Sequence, residues 1–313
     1  MTLLPAPFAT PASIGSPPPR THGGDAARIA RALGVRPESL LDLSASLNPV
    51  GPDVATVAAR HLDALGRYPD TGPGRRLLAE TIGVEPERLL QTNGGAEANY
   101  LLGHVVGGRV DEPEFSLYPR GTDGAPRWRS NPHNPTGRLA GPEEHAEIWD
   151  EAFFPLATGR WTRHDHGALA VVGSLTKVFA CPGLRIGYVL ADPALIARLE
   201  GQQPEWAVGG LELAVLPELL GAADLPRWAK EIAVLRRELT ALLAGHGLAP
   251  RPSDANFVLC DAPDGFRDKL LRQGIVVRDC ASFGLPALAR VAVPDHEGIE
   301  RLSAALDAIA HDI

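Results

Sequence analysis

The chain has 313 residues, of which 44% are hydrophobic and 22% charged, and its formal net charge is −8. This length and apolar content predict a large hydrophobic core, divided between two domains. The acidic balance, with no block of basic residues, argues against nucleic acid or an anionic membrane as a partner. No apolar run of the sequence approaches the roughly 18 residues that a membrane-spanning helix needs.

The cysteines and the start of the chain bear on the cellular compartment. Cys181, Cys260 and Cys280 lie far apart, so they predict neither a disulfide framework nor paired zinc ligands. Such usage fits a reducing cytoplasm. Residues 1–20 are rich in proline and show neither the basic start nor the uninterrupted apolar stretch of a secretion signal. We interpret them as a flexible arm.

The periodicity of apolar residues predicts helices first, and then alternating strands and helices. In order, the predicted elements are helices over 25–33, 54–65 and 75–82, a strand over 89–92, a helix over 96–106, a strand over 168–172, a helix around 228–242, strands over 256–259, 274–277 and 289–293, and a helix over 297–309. A short apolar segment, 40–43, precedes a turn-rich stretch. The alternation in the middle favours an α/β domain, followed by a smaller α+β domain.

Lys177 is the most informative residue, because only three of the 30 basic residues are lysines. It follows the apolar run 168–172, and Arg185 comes eight positions later. A lysine after a strand end with small hydroxyl residues can hold an aldehyde cofactor as a Schiff base. Ser174, Thr176 and Arg185 would bind a phosphate on that cofactor. An exposed lysine at a strand end is the alternative interpretation, which the remaining segments oppose.

Four further segments carry candidate chemistry. Asn93-Gly94-Gly95-Ala96 joins a strand to a helix N-terminus, where free amides favour an anion. Tyr118 follows at the end of Glu114-Phe115-Ser116-Leu117. The turn Asn131-Pro132-His133-Asn134-Pro135-Thr136-Gly137 could present an amide, and Asp150 is a carboxylate among aromatic residues. Each segment alone is typical of a turn, a core aromatic or a helix cap. Their order together is more specific.

This order resembles the fold-type-I pyridoxal-phosphate (PLP) enzymes, the aspartate aminotransferase superfamily with its class I/II aminotransferases. The resemblance covers residues 21–310, and its most specific parts are the Asn-Pro turn, Asp150-Glu151-Ala152-Phe153 and Ser174 to Tyr188. It implies an α/β fold with a large, mostly parallel-sheet domain and a smaller α+β C-terminal domain. We expect an arm at 1–20, an N-terminal segment at 21–45 packing with the small domain, a large PLP-binding domain at 46–205 and a small domain at 206–313.

The resemblance also implies a role for each matching residue. Lys177 holds the cofactor and then shuttles protons, and Asp150 pairs with the protonated pyridine nitrogen. Asn134 bonds the ring hydroxyl oxygen, and Tyr118 stacks on the ring. The expected phosphate ligands are Gly95, Ala96, Ser174, Thr176 and Arg185, with Tyr68 reaching the phosphate of a neighbouring subunit in a homodimer.

Segments near both ends of the chain indicate a subfamily, and with it a substrate. Thr21-His22-Gly23-Gly24-Asp25, the stretch 41–51 and the stretch 274–285 are similar to the threonine-phosphate decarboxylases of cobalamin biosynthesis. The similarity implies a small anionic amino-acid substrate, L-threonine O-3-phosphate, and its decarboxylation to (R)-1-amino-2-propanol phosphate. His22, Gly23 and Arg278 would serve the substrate phosphate, Arg290 its carboxylate, and Asn134 would also contact the substrate.

Two alternatives stay open at this stage. An aminotransferase of the histidinol-phosphate type would use the same cofactor residues, although such enzymes usually carry tyrosine where this chain has Phe153. A degenerate, non-catalytic protein of this fold is the other, because the segments between Tyr118 and Asn131 and before Asp150 are short, and the large domain is expected to be trimmed. His164-Asp165-His166 is interpreted as a solvated loop, so no metal site is predicted.

Overall fold

The structure is a computed structural model that describes residues 22–164 and 167–310. The predicted arm at 1–20, with Thr21, Asp165 and His166, lies outside the described residues. The chain divides into two compact units. The large unit comprises Leu47–Ala233 with Asp254–Asn256, and the small unit comprises the described residues up to Ser46, Val234–Ser253 and the residues from Phe257 onward. Within the described ranges, no helix combines the length and hydropathy needed to cross a membrane.

Helices and strands alternate through most of the described chain. The helices are α1 (Ala26–Leu33), α2 (Val54–Ala59), α3 (Thr71–Ile82), α4 (Gly94–Val106), α5 (Phe154–Thr158), α6 (Leu175–Val178), α7 (Pro193–Glu200), α8 (Gly210–Gly221), α9 (Leu225–Gly245), α10 (Phe266–Arg272) and α11 (His296–Ile309). The strands are β1 (Leu41–Leu43), β2 (Leu89–Asn93), β3 (Arg109–Val110), β4 (Arg127–Ser130), β5 (Ile148–Asp150), β6 (Ala170–Ser174), β7 (Ile186–Ala191), β8 (Phe257–Asp261), β9 (Ile275–Asp279) and β10 (Leu288–Ala292).

The described part of the large unit contains a six-stranded sheet in the order β2-β7-β6-β5-β4-β3. Strands β3 to β6 run parallel, while β7 is antiparallel to both β6 and β2. Both β6 and β7 are buried along their whole length, as expected for strands covered on two faces. Because β4, β5 and β6 are parallel neighbours, their carboxyl ends meet at one edge of the sheet.

Hydrophobic side chains fill both faces of this sheet. One cluster joins Leu78 of α3, Leu216 of α8 and Trp149 of β5, and the other joins Leu101 of α4, Leu199 of α7 and Val172 of β6; all six are fully buried. Complete burial of a leucine-sized side chain contributes about 1.5–3 kcal/mol. The two clusters therefore fix the strand ends that carry the candidate residues.

The small unit is built on a second sheet, in the order β1-β9-β10-β8. Strand β1 pairs with β9 in parallel, and β10 is antiparallel to β9 and β8. Ile29 of α1, Leu271 of α10 and Val276 of β9 pack in one buried cluster. Its helices and mixed strand pairing confirm the expected fold class.

Several predicted elements differ from the structure in detail. The helix predicted over 54–65 ends at Ala59 and continues as a 3₁₀ turn over Leu62–Gly66, and between them Arg60 and His61 pair with Glu218 of α8. The sequence pattern predicted no strand at Asp150, yet Ile148–Asp150 forms a fully buried strand. Strand β5 has only three residues, which are too few to show a periodic pattern in the sequence. It forms because it pairs with β4 on one side and β6 on the other.

Two boundaries also differ. Helix α4 begins at Gly94, so the glycines open the helix rather than precede it. The large unit extends to Ala233 instead of 205, because α8 packs on α2 and α3 of that unit.

Candidate active site

Strand register brings the candidate residues of the large unit together. Ser130 ends β4 and lies opposite Asp150, which ends β5, and Asp150 in turn lies opposite Val172 of β6. The Asn134 turn therefore follows one strand, Asp150 closes the next, and Lys177 follows the third. Four predicted residues thus meet at one edge: Asn134, Asp150, Ser174 and Lys177.

Asp150 is a buried carboxylate held by three donors. Its Oδ1 accepts the N–H of Ala152 at 2.9 Å, and its Oδ2 accepts Tyr118 Oη–H at 2.8 Å and Asn99 Nδ2–H at 3.4 Å. Burial raises the pKa of Asp150, while these donors and the charge of Lys177 act to lower it. A further cation beside this carboxylate would favour its charged form.

Lys177 lies on the single turn of α6, directly after β6. Its Nζ is 5.9 Å from the centre of the Phe153 ring, a cation–π distance, and its charge acts on Asp150. Asn48 holds the turn in place, since its Nδ2 donates to Val178 O at 2.8 Å and its backbone N–H donates to Lys177 O at 3.2 Å. These two bonds fix the backbone of the turn that carries the Lys177 side chain.

An anion cradle forms where α4 begins. Gly94 has φ of +71°, and a side chain there would meet the guanidinium of Arg185. The Cβ of Ser174 lies 3.5 Å from where a Cβ of Gly95 would be. The Asn93 side chain makes no capping hydrogen bond to α4, although Glu97 Oε2 accepts the Asn93 N–H at 2.6 Å, so the first-turn amides that follow, including that of the exposed Ala96, are available to an anion.

Thr176 is placed differently from the other predicted phosphate ligands. It is buried, and its Oγ1 lies 3.4 Å from both Leu184 O and Ile186 O, so its proton is directed to the backbone near β7. Its contact with a phosphate stays a prediction.

Tyr118 and Asn134 are both buried beside Asp150. The Tyr118 ring stacks on Trp128, with centroids 5.3 Å apart, while its hydroxyl binds Asp150. Burial and the neighbouring acids raise the pKa of Tyr118, so the phenol stays protonated and donates. The backbone N–H of Asn134 donates to Ser130 Oγ at 2.7 Å, which fixes the turn. The predicted contacts of both residues with the cofactor ring remain predictions.

Tyr68 lies apart from these residues on the surface of the large unit. Its side chain is 80% exposed and packs on Trp206, itself 56% exposed, with centroids 4.7 Å apart. An exposed aromatic pair of this kind is typical of a contact surface.

The small unit contains the other predicted residues. Arg278 of β9 and Arg290 of β10 are register partners, and both are buried. Arg278 donates to Ser282 Oγ at 2.7 Å and stacks on Phe283, whereas Arg290 donates to Ser44 O at 3.3 Å and stacks on Phe257.

The electrostatics of this arginine pair favour an anion. Burial, together with the charge of Arg278, lowers the pKa of Arg290 to about 10. The carboxylates of Asp25 and Asp279 act on Arg278 in the opposite sense, and an anion bound beside the pair would further favour the charged form of both guanidinium groups.

The His22–Gly23 segment lies near this pair. Burial and the charge of Arg278 lower the pKa of His22. Gly23 approaches Ser44 so closely that a Cβ would collide with Ser44 O, and Gly24 N–H donates to Ser44 Oγ at 2.9 Å. Ser44 therefore connects this segment to Arg290.

Sequence reasoning missed several residues that shape the site. Asn48 positions the Lys177 turn, Asn99 contacts Asp150, and Glu114 and Ser130 connect to the Asn134 turn. A buried asparagine on the otherwise apolar face of α4 was a usable signal for Asn99. Among the described residues, no group of three or more His, Cys, Asp or Glu is placed to hold a metal ion.

The residues present fit a phosphate-bearing aromatic cofactor. Asn99 Oδ1 is buried without a hydrogen-bond partner in the described part of the chain. No carboxylate among the described residues pairs with Arg185, whose Nη1 donates to Pro182 O at 3.3 Å. A buried acid, an amine and an uncommitted cation at a helix N-terminus are the groups that such a cofactor needs.

Comparisons with known proteins agree with this arrangement. Residues 128–306 match the family model of aminotransferase class I and II. Threonine-phosphate decarboxylase of Salmonella typhimurium is 31% identical over 351 aligned positions, covering 91% of this chain and 95% of the relative. Because 351 aligned positions exceed the 313 residues of this chain, that relative has segments that this chain lacks.

Two further similarities are to an aminotransferase and to a decarboxylase. Histidinol-phosphate aminotransferase of Symbiobacterium thermophilum is 29% identical, covering 93% of this chain and 95% of that protein. The crystal structure of L-threonine-O-3-phosphate decarboxylase from Porphyromonas gingivalis shares the fold, with a TM-score of 0.73, 22% identity, and coverage of 86% of this chain and 99% of that one. The chain therefore belongs to the aminotransferase class I and II family of PLP-dependent enzymes.

Proposed function

We propose that the protein decarboxylates L-threonine O-3-phosphate to (R)-1-amino-2-propanol phosphate, a step of cobalamin biosynthesis, in the cytoplasm. The observation that carries the proposal is the buried Arg278–Arg290 pair, with His22 and Gly23 beside it. Two arginines match a substrate with two anionic groups, because guanidinium binds phosphate and carboxylate in bidentate fashion. The similarity to the Salmonella decarboxylase supports the same substrate.

The large unit supplies the cofactor residues. When bound, PLP acts as an electron sink for the bond that breaks at Cα. Lys177 would hold the cofactor and return a proton to Cα, and Asp150 would keep the ring nitrogen protonated. Gly95, Ala96, Ser174, Thr176 and Arg185 would bind the cofactor phosphate, Asn134 the ring hydroxyl and Tyr118 the ring.

The choice of reaction would depend on the small unit. Arg290 would fix the substrate carboxylate so that the Cα–CO₂⁻ bond, rather than Cα–H, is oriented for cleavage. Arg278 and His22 would hold the substrate phosphate, whose binding energy orients the reacting end.

An aminotransferase of the histidinol-phosphate type is the second candidate. The Symbiobacterium relative favours it, and the Lys177 and Asp150 machinery would serve both reactions. The two candidates differ in which bond at Cα is broken, and therefore in their products.

We also propose that the protein works as a homodimer in which Tyr68 reaches the cofactor phosphate of the neighbouring subunit. Its exposed pairing with Trp206 supports such a contact. Sedimentation equilibrium of the full chain would give twice the monomer mass of 33.2 kDa.

One experiment tests these assignments together. The purified protein with PLP should be yellow because the cofactor is bound to the lysine amine, and Lys177→Ala should abolish that absorption band. Threonine phosphate should then release carbon dioxide and amino-propanol phosphate. Transfer of the amino group from histidinol phosphate to a keto acid, without carbon dioxide, would favour the aminotransferase, and absence of both reactions with the band present would leave a non-catalytic PLP protein.

A further inference from the structure

The short helix that carries Lys177 depends on hydrogen bonds from another part of the chain. Helix α6 has four residues, and a helix of this length is not stable in isolation. Its first two carbonyls accept N–H groups that directly follow the helix, at 2.9 and 3.0 Å. The last two carbonyls, those of Lys177 and Val178, belong to the end that a helix leaves without internal partners.

Asn48 supplies donors to both of these carbonyls from about 130 positions away in the sequence. It is 4% exposed, its backbone N–H donates to Lys177 O at 3.2 Å, and its Nδ2 donates to Val178 O at 2.8 Å. Ala180 N–H also donates to Lys177 O, over a longer 3.4 Å. All of these residues belong to the large unit. Asn48 therefore caps the C-terminal end of α6.

The backbone just after α6 gives a second reason why this cap matters. Ala180 has φ of +51°, a left-handed conformation that is unfavourable for a residue with a Cβ. The chain reverses there, so that Cys181 N–H donates to Thr176 O at 3.0 Å. Local preference favours neither a four-residue helix nor a left-handed alanine, so contacts from elsewhere in the large unit have to hold both.

The residues that follow Asn48 hold its side chain ready for this contact. Its Oδ1 accepts the Val50 N–H at 3.0 Å, which orients the side-chain amide, and Pro49 restricts the backbone between them. Gly51 lies so close that a Cβ at that position would be 3.2 Å from Asn48 Nδ2. The Asn48-Pro49-Val50-Gly51 segment thus presents an oriented amide donor to α6.

The position of the α6 backbone matters for the lysine amine. Lys177 Nζ lies 5.9 Å from the centre of the Phe153 ring, and its charge acts on Asp150. The side chain starts from a Cα whose own carbonyl is one of the two that Asn48 binds. A shift of this turn would therefore move the amine relative to both Phe153 and Asp150.

We propose that Asn48 is a positioning residue for Lys177: by capping the last two carbonyls of α6, it holds the lysine amine where it can attach the cofactor. The inference rests on the proposed role of Lys177 and is independent of which substrate is used.

The first test measures the surroundings of the Lys177 side chain in the full chain without cofactor. The sequence has only three lysines, Lys177, Lys230 and Lys269, so labelling lysine with ¹³C at Cε gives three NMR signals. Lys177→Arg assigns the Lys177 signal, and Phe153→Leu shows its position without the ring current of the aromatic side chain. We expect Asn48→Ala to move the Lys177 signal toward that position.

A matched control separates this effect from the loss of any long-range hydrogen bond. Gln203 Nε2 donates to Gln91 O at 2.9 Å, so it too is a side-chain amide bound to a carbonyl more than 100 positions away in the large unit. Gln203→Ala should leave the Lys177 signal in place. Movement of the signal by the same amount in Gln203→Ala and Asn48→Ala would overturn the proposal, as would an unmoved signal in a folded Asn48→Ala.

Gly51→Ala keeps the proposal testable if Asn48→Ala does not fold. The added methyl group would press on Asn48 Nδ2 without removing it, so the Lys177 signal should move in the same direction by a smaller amount. Circular dichroism would verify that each variant is folded. If Asn48→Ala is unfolded, an unmoved signal in Gly51→Ala overturns the proposal.

Cofactor binding gives a second readout that separates this inference from the proposed function. Loss of one neutral hydrogen bond is expected to weaken the affinity of Asn48→Ala for PLP about fivefold, measured by absorbance titration. A yellow colour that survives Lys177→Ala would refute the cofactor role of Lys177, although the NMR shift would still show that Asn48 positions its side chain. A colour that depends on Lys177, together with an unmoved signal in Asn48→Ala, would overturn the role of Asn48 alone.

Discussion

The large and small units each bury charged groups, but the surroundings of those groups differ. Asp150, at the carboxyl edge of the large sheet, receives hydrogen bonds from Ala152, Tyr118 and Asn99. Arg278 and Arg290 in the small sheet stand side by side with like charge, and burial lowers the pKa of both.

This difference between Asp150 and the Arg278–Arg290 pair indicates which kind of ligand each would bind. Asp150 is held by fixed donors, so the position of its carboxyl group is set before any ligand arrives, which would suit the proposed cofactor. The arginine pair carries mutual repulsion that an arriving anion relieves. Fixed donors therefore favour the proposed cofactor at Asp150, and two adjacent cations favour the proposed anionic substrate at Arg278 and Arg290.

The largest expected effect is that of Asp150→Asn. Loss of a buried charge partner costs about 2–5 kcal/mol, so kcat/KM should fall by about 30- to 5,000-fold, whereas attachment of the cofactor to Lys177 should persist. Steady-state kinetics of carbon dioxide release would measure it. Asp192→Asn is the matched control, because Asp192 caps α7 and asparagine caps equally well. A loss under fivefold for Asp150→Asn would contradict the electron-sink role.

The second prediction concerns Glu151, the residue that follows Asp150 in the chain. Burial raises its pKa from 4.5 to about 7, although Thr162 and the N–H of Arg163 bind the carboxylate. The folded state then binds the extra proton between these values, so the Glu151 contribution to the free energy of unfolding falls as pH rises from 4.5 to about 7, by about 3 kcal/mol.

Urea unfolding of the native chain and Glu151→Gln at several pH values would measure that contribution. The difference between the two slopes should show the fall, since glutamine does not titrate. Exposed Glu205→Gln should leave the slope unchanged. Parallel slopes for the native chain and Glu151→Gln would contradict the buried titration.

The third prediction tests the arginine side. Arg290→Lys keeps the charge but loses the planar fork, so kcat/KM for threonine phosphate should fall about 10- to 100-fold, from the loss of about 1.5–3 kcal/mol of charged hydrogen bonding. Arg301→Lys, which removes a guanidinium bonded to Ser39 O in the same unit, is the control. Equal losses of kcat/KM in the two variants would show that Arg290 does not bind the substrate.

The smallest expected effect is that of Tyr68→Phe. In a homodimer, it removes one hydrogen bond to the cofactor phosphate, worth about 1 kcal/mol, so affinity for PLP should fall about fivefold. Fluorescence titration with PLP would measure it, and Tyr100→Phe, also exposed, is the control. Unchanged affinity in Tyr68→Phe would place that hydroxyl away from the phosphate.

Much of the fold could be predicted because local signals agree with the tertiary structure. Gly34 and Gly83 end helices in the left-handed conformation, as their sequence positions predicted. The helix predicted over 54–65 was too long, because the bend at Arg60 and His61 depends on Glu218, 157 or 158 residues away. Strand β5 escaped prediction for a related reason, since three residues have no period of their own.

The sequence by itself determined the residues that would handle a cofactor, because Lys177, Asp150 and Asn134 stand in short motifs whose order is specific. It also indicated the arginines of β9 and β10. Only the tertiary structure decided which polar groups share hydrogen bonds, such as Ser130 with Glu114 and Tyr118 with Asp150. Those bonds connect residues 16 and 32 positions apart, and they form because parallel register sets Ser130 opposite Asp150. Register arises from the packing of whole strands, which no short motif encodes.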